Sequence, residues 1–331
     1  MANFVVYKYS IKNDSDLFSD TESFTKQIQA VLTDSRSNGY IDLKYIETDE
    51  DGNYLDTYEY SNDIKMYHDG VITIQVHEHK IKLATPEHGT EKSGQYDDYP
   101  WIWVIIDTRP NSNSILIQKK SDAFRDKTDF VVQDLIIPFF TNKLDLTNKG
   151  YQMSAEVCKC KGGHGQIWQL VKHRTKNGRD SLKSLSVRFT DERTKTDNTR
   201  THTFLDEILD TFKSHQAELQ VWASNESNQK IQETMPDMIG IAEQLLDHDY
   251  SIKLAFCHSG TFECSRDTQA IYGVQDSYVE RFGMMPDSRK NEPAQYALID
   301  WIDSCIINDS SIFYEKIGKY KRPKPVKKTS A

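Results

Sequence analysis

Residues 150–191 read GYQMSAEVCKCKGGHGQIWQLVKHRTKNGRDSLKSLSVRFTD. The periodicity changes twice within this stretch. Residues 150–160 alternate as a strand, residues 165–177 take up helical spacing, and residues 180–191 alternate again. Gly162, Gly163 and Gly165 supply the turn between the first strand and the helix. Helices alternating with strands predict a sheet covered on at least one face by helices. No strand is followed by the glycine pattern of a dinucleotide-binding fold, which sets that class aside.

The expected fold is therefore α+β. A β-rich N-terminal region precedes a ferredoxin-like α/β domain, a C-terminal helical segment and a basic tail. The boundaries read as 1–120, 121–260, 261–314 and 315–331. In the first region, FVVYKYSI is an apolar strand and SDTESFTKQIQAVL a helix with a capping-box match of Ser19 to Glu22. YIDLKYIETDEDGNYLDTYEYS is a hairpin turning near Asp51-Gly52, and GVITIQVHEHKIKLA one long strand. WIWVIIDTRPNSNSILIQKK holds two strands about a Pro/Asn/Ser turn. SDAFRDKTDFVVQDLIIPFFTNKL is a helix with Pro138 near its end. Further on, helices are expected at TFLDEILDTFKSHQ, MPDMIGIAEQLLDHD and EPAQYALIDWIDSCIINDSSIFYEKIGKY, and strands at AELQVWASN and YSIKLAFCHSG.

Composition narrows the class. The chain has 331 residues, 37% hydrophobic, with 5 Trp, 17 Tyr and 14 Phe. That many aromatics argues for a packed core despite a mean hydropathy of −0.67. No apolar run approaches the roughly 20 residues that cross a bilayer, and MANFVVYKYSIKND lacks a signal-peptide pattern. Both predict a cytoplasmic protein without a membrane partner. Five cysteines, odd in number and poorly spaced for bridges, are expected to be reduced.

The net charge of −9 conceals a segregation. Residues 1–118 carry 10 Lys/Arg against 20 Asp/Glu, and residues 119–202 carry 17 against 10. Residues 203–314 carry 7 against 19, and residues 315–331 carry 7 against 1. Two basic zones on an acidic body point to a local anion-binding surface, because the nearby field governs attraction more than the total does. Pairing of these zones with the acidic segments is the alternative. Lys159, Lys161, Lys172, Arg174, Lys176, Arg179, Arg193, Lys195 and Arg200 fall mostly in loops, where long cations reach outward. Lys319, Lys321 and Arg322 extend the grip into the tail. Few aromatics interleave, so the pattern suits phosphate contact along a duplex more than base stacking.

Three smaller constellations carry other chemistry. Asp107 ends one strand while Gln118 and Lys120 end the next, which resembles the core of restriction-endonuclease-like nucleases. That resemblance implies Mg²⁺ held by the acid and a second-strand group, with the lysine stabilising developing charge. Gln118 departs from it by replacing an acid. His77 and His79, two apart on a strand, are spaced to reach one metal. Cys158, Cys160 and His164, with Cys257, His258 and Cys264, form a third candidate metal set. C-x-C spacing is uncommon in structural zinc sites, however. The stretch reads first as a turn. Its second reading is a local anion site formed by Lys159, Lys161 and the free amides of the helix start.

The opening strand NFVVYKYSIKN, the acidic IETDEDGNYLDTYEY and the final LIDWIDSCIINDSSIFYEKIGKYKRPK together give a layout. It resembles the DNA-binding exclusion sensor proteins of lambdoid phages and related phage-defence accessory proteins. The resemblance implies non-enzymatic, largely sequence-independent binding of double-stranded DNA, as a homodimer, without a cofactor. The expected role is that of a bacterial or phage-encoded defence factor, with a partner protein from the same operon as a further expectation. A protein-interaction or DNA-mimic role for the acidic regions is the alternative.

Overall fold

Strand β1 (Ala2–Asn13) sets the layout. Phe4, Val5, Val6 and Tyr7 point alternately to opposite faces, yet all four are fully buried, so the strand has no solvated side. The structure is a computed structural model. It describes residues 1–13, 20–68, 70–83, 95–109, 112–159, 166–175, 180–190, 216–222, 250–258, 260–265 and 269–274. After β1 come α1 (Thr21–Asn38), β2 (Leu43–Thr48), β3 (Tyr54–Tyr60), β4 (Asn62–His68) and β5 (Val71–His77). They are followed by β6 (Lys80–Leu83), β7 (Gln95–Asp98), β8 (Trp101–Asp107) and β9 (Ser114–Lys119). Next are α2 (Thr128–Phe130), α3 (Ile137–Lys143), β10 (Tyr151–Val157), α4 (Gln166–Thr175) and β11 (Leu182–Thr190). The last are β12 (Gln216–Trp222), β13 (Ser251–Phe256), β14 (Thr261–Cys264) and β15 (Ile271–Val274).

Eleven strands make one sheet in the order β12-β11-β13-β14-β15-β1-β9-β8-β5-β4, with β10 also on β1. All its ladders are antiparallel. One edge of β1 pairs with β9 over Asn3–Lys8. The other edge is divided, with β15 on Ala2–Val5 and β10 on Tyr7–Asn13. Helices cover both faces. Ile167, Leu170 and Val171 of α4 pack on one side with Phe4, Val6, Leu254 and Phe256. On the other, Phe24, Ile28 and Leu32 of α1 join Val131, Leu135 and Phe140 over Val5, Tyr7, Ile74 and Val104. Tyr7 fixes the second cover directly, its hydroxyl lying 2.7 Å from Thr128 Oγ1 and donating to Asp129 Oδ1 at 2.8 Å.

Several expectations are revised. The long strand at 70–84 breaks after His77. Glu78 N–H turns to the carbonyl of Pro100, and Lys80–Leu83 pairs with β7 in a separate two-stranded sheet. The segment expected to be helical from 261 begins instead with β14 and β15. Phe262, Cys264, Tyr272 and Val274 are among its buried residues, in four-residue strands too short to stand out. The sheet also runs across the boundary expected at 120. Helix α1 starts at Thr21, and its N-cap residue Asp20 makes no side-chain cap; the Thr21 hydroxyl accepts Ile11 N–H at 2.8 Å instead. Pro138 lies well inside its helix. Because it lacks an N–H, the residues before it adopt a π-helical stretch, Val131–Ile136, in which Ile137 N–H reaches Val132 O. The expected helices at 203–216 (save Gln216, which opens β12), 235–249 and 292–320, and the tail, lie outside the described residues.

The turn between β13 and β14 is the tightest point of the sheet. Gly260 has φ +87°, and a Cβ there would stand 2.0 Å from the carbonyl oxygen of Gly273. Gly39, at φ +81° after α1, has open space around it. In urea unfolding, Gly260→Ala should cost about 2 kcal/mol or more, and Gly39→Ala about 1 kcal/mol. Equal losses at the two positions would contradict the packing at Gly260.

Candidate functional site

Two of the anticipated phosphate ligands can be seen on the surface. Lys159 is exposed just beyond β10, where its backbone bridges to Gln269, and Lys172 is exposed on α4. Among the described residues, neither has an ion-pair partner. Arg174 requires a correction. It is buried, with its guanidinium 4.6 Å from the Phe256 ring centre and 6.0 Å from that of Tyr272. Residues two apart on a helix lie on nearly opposite sides, so Lys172 and Arg174 cannot both face solvent. Arg174 thus clamps α4 to the sheet. Lys161, Lys176, Arg179, Arg193, Lys195, Arg200, Lys319, Lys321 and Arg322 lie outside the described residues, as do Cys160 and His164.

The sheet adds a feature that linear reading missed. Ser184 of β11 pairs with Trp222 of β12, and Lys183 Nζ stands 6.0 Å from the Trp222 ring, which is 61% exposed. Nearby, Arg188 is bridged to Glu218 at 3.4 Å and to Glu263 at 3.8 Å. The outer edge of the sheet therefore presents a free cation over an open aromatic face, a pairing suited to a base or another π-surface. Only strand register brings the two residues together.

No family model matches this sequence, and no curated protein or solved structure is similar enough to count as a match. Site chemistry must therefore be read from geometry.

The nuclease trio does not assemble. In the antiparallel β8–β9 hairpin Asp107 opposes Ser114 at the turn, so Gln118 and Lys120 stand toward the far end. Gln118 is about 13 Å along the strand from Asp107, too far to share a cation with 2.1 Å bonds. Each group is also occupied. Asp107, fully buried, accepts from Arg109 Nε at 3.0 Å and Nη2 at 2.8 Å. Gln118 Oε1 accepts Trp103 N–H at 3.1 Å. Lys120 Nζ lies 3.4 Å from Asp122 Oδ2 and 5.2 Å from the Trp101 ring. The histidines separate as well. His77 Nε2 is 3.5 Å from Asp63, whereas His79 Nε2 is 2.9 Å from Asp97 and its ring stacks on Tyr99. No three His, Cys, Asp or Glu side chains among the described residues are placed to hold a metal.

Asp107 belongs instead to a buried polar knot on the α4 side of the sheet. Lys8 Nζ donates to Ser112 O and, at 2.7 Å, to Ser114 Oγ, tying β1 to the β8–β9 turn. Burial lowers the Lys8 ammonium pKa, and the nearby Asp107 carboxylate opposes that shift. Burial pushes the Cys158 thiol up to about 12, with Lys8 opposing. The thiolate is the reactive form, so Cys158 is inert at neutral pH, whereas Cys257 is exposed. Two outcomes follow. Alkylation of the folded chain, read by peptide mass mapping, should modify Cys257 at least about a thousandfold faster than Cys158. Asp107→Ala, which removes the buried carboxylate paired with Arg109, should cost about 3 kcal/mol in urea unfolding. An unchanged midpoint would assign the carboxylate a role other than holding this turn.

Proposed function

We propose that this chain is a non-enzymatic nucleic-acid-binding protein that grips double-stranded DNA by its phosphates through residues 159–200, aided by the 315–331 tail. The observation that carries the reading is the pair of exposed lysines, Lys159 and Lys172, which have no ion-pair partner among the described residues. They lie in the segment where charge turns positive on an otherwise acidic chain. Cations of this kind release counterions from a polyanion and give affinity without reading sequence. Lys183 over Trp222 adds a contact for an unpaired or frayed base. The separation of Asp107 from Gln118 and Lys120 supports binding without cleavage.

The finer parts of the reading are a ferredoxin-like arrangement within 121–260, assembly as a homodimer, and a role in phage defence with a partner protein from the same operon. They rest on the strand and helix order and on the layout resemblance. A homodimer would double the phosphate contacts on one duplex. No helix among the described residues is long and apolar enough to cross a membrane.

A salt-titrated gel shift on duplex and single-stranded DNA and RNA tests this. Affinity should fall steeply with salt, and Lys159→Glu with Lys172→Glu should reduce the log–log salt slope by about 2. No shift at low salt with any of these nucleic acids would overturn the proposal.

A further inference from the structure

The β2–β3 hairpin stands apart from the main sheet and is covered on one side only. Tyr45 and Tyr60 hold it to the body through Phe130, at ring distances of 5.3 and 6.0 Å. Its outer parts are open, with Ile46 57%, Tyr54 64%, Leu55 55% and Tyr58 46% exposed. Ile46 and Leu55 are both open to solvent, and the ladder shifts register beside Leu55, between Glu47 and Thr48. Strand β2 pairs with β3 alone, so among the described residues its other edge carries no ladder partner. Beside β2 lies a groove of about 260 Å³. Lys44, Tyr45 and Ile46 line one wall, and Asp134, Pro138 and Phe139 line the other. That volume falls below the usual size of a small-molecule pocket. It suits a few side chains of an extended segment laid along a free strand edge.

The charge around this groove selects the occupant. Residues 42–59 hold seven acids, Asp42, Glu47, Asp49, Glu50, Asp51, Asp56 and Glu59, against the single Lys44. Lys44 is already neutralised by Asp42 at 3.3 Å and Glu59 at 3.2 Å. Burial raises the Asp134 carboxyl pKa, and Lys143, which also lines the groove, is one cation set against the seven hairpin acids. A second copy of the hairpin would bring like charge. Residues 315–331 bring seven Lys/Arg against one acid, with Ile317, Tyr320 and Val326 as apolar anchors. Fifty-seven residues follow Val274, so chain length does not restrict the reach.

We infer that the β2 edge and its groove dock the chain's own basic terminal segment, residues 315–331, which nucleic acid then competes away. The regulatory half of this inference rests on the proposed function, because the segment is shared between the hairpin and DNA. The docking half does not.

The test uses the full chain and the variant Ile46→Lys with Leu55→Lys, both exposed positions, against a control of Leu219→Lys with Val221→Lys. Trypsin cleavage after Lys319 and Lys321, followed by intact mass, should be about tenfold faster in the hairpin variant than in wild type or control, the change expected on freeing a segment docked about nine-tenths of the time. The wild-type rate should not change with protein concentration. Independently, amide exchange of residues 43–48 in wild type should speed up at high salt, where the attraction is screened. Equal cleavage in all three proteins, or exchange at 43–48 insensitive to salt, overturns the docking. A concentration-dependent rate overturns it in favour of a second copy's segment. In the gel shift the hairpin variant should bind duplex DNA more tightly than wild type. If neither protein binds DNA while cleavage still differs, the docking stands and the nucleic-acid reading falls.

Discussion

The divided edge of β1 is the constraint on which the rest of the molecule depends. One strand of twelve residues pairs along one side with β9 and splits the other between β15 and β10. That split joins strands from residue 274 to strands from residue 2, and the sheet becomes continuous across regions with opposite charge. Burial on both faces follows. With α4 on one side and α1, α2 and α3 on the other, the middle of β1 has to be apolar in both directions, as Phe4, Val5, Val6 and Tyr7 are. The buried charge on β1 is satisfied by the neighbouring turn. Lys8 donates to the turn between β8 and β9, which makes a buried charge part of how the strands register.

Local periodicity made much of this legible. The strand at 151–157, the helix at 166–175 and the strand at 182–190 fall where the pattern of 150–191 changes, because each has a run long enough to show its period. The β2–β3 turn was legible too, since Asp-Gly marks it and Gly52 takes φ +84°. What failed was what depends on distant partners. Nothing in HEHK announces a break, because the break is made by the carbonyl of Pro100 capturing Glu78 N–H. Strands β14 and β15 are four residues each, and their strand character comes from β13 and β1 beside them.

The charge pattern was legible in the sequence, but the placement of its side chains was not. Charge segregation is a property of the sequence and needed no fold. Which lysine or arginine faces outward is a tertiary matter, and Lys172 and Arg174 divide on it. Their spacing already shows that they point apart, but the aromatic pair Phe256 and Tyr272, far along the chain, decides which turns inward. The nuclease reading carried a warning in its own sequence. In a tight antiparallel hairpin the last residue of the first strand faces the first residue of the second, so Asp107 belongs with Ser114 and never with Lys120. Lys183 and Trp222 show the converse, a contact invisible without register.

For an acidic chain, the proposed binding of a polyanion poses an electrostatic problem, because the long-range field repels the ligand that local cations attract. Screening at physiological salt limits each field to about 8 Å, so the sign within that distance decides the encounter. Confining the positive charge to two segments meets the requirement at close range. It also creates a second need, since strongly basic segments will seek the acidic surfaces of the same molecule. Most surface pairs of that kind are worth little in water, and an isolated one would hold nothing. The β2–β3 hairpin differs in combining several carboxylates with open apolar side chains and a free strand edge. Backbone pairing and burial there supplement an attraction that charge alone would leave weak. Under the proposed docking, a duplex phosphate array would compete by gathering counterion release from many contacts at once. The segregation seen in the bare sequence would then act as a filter that favours ligands of high charge density.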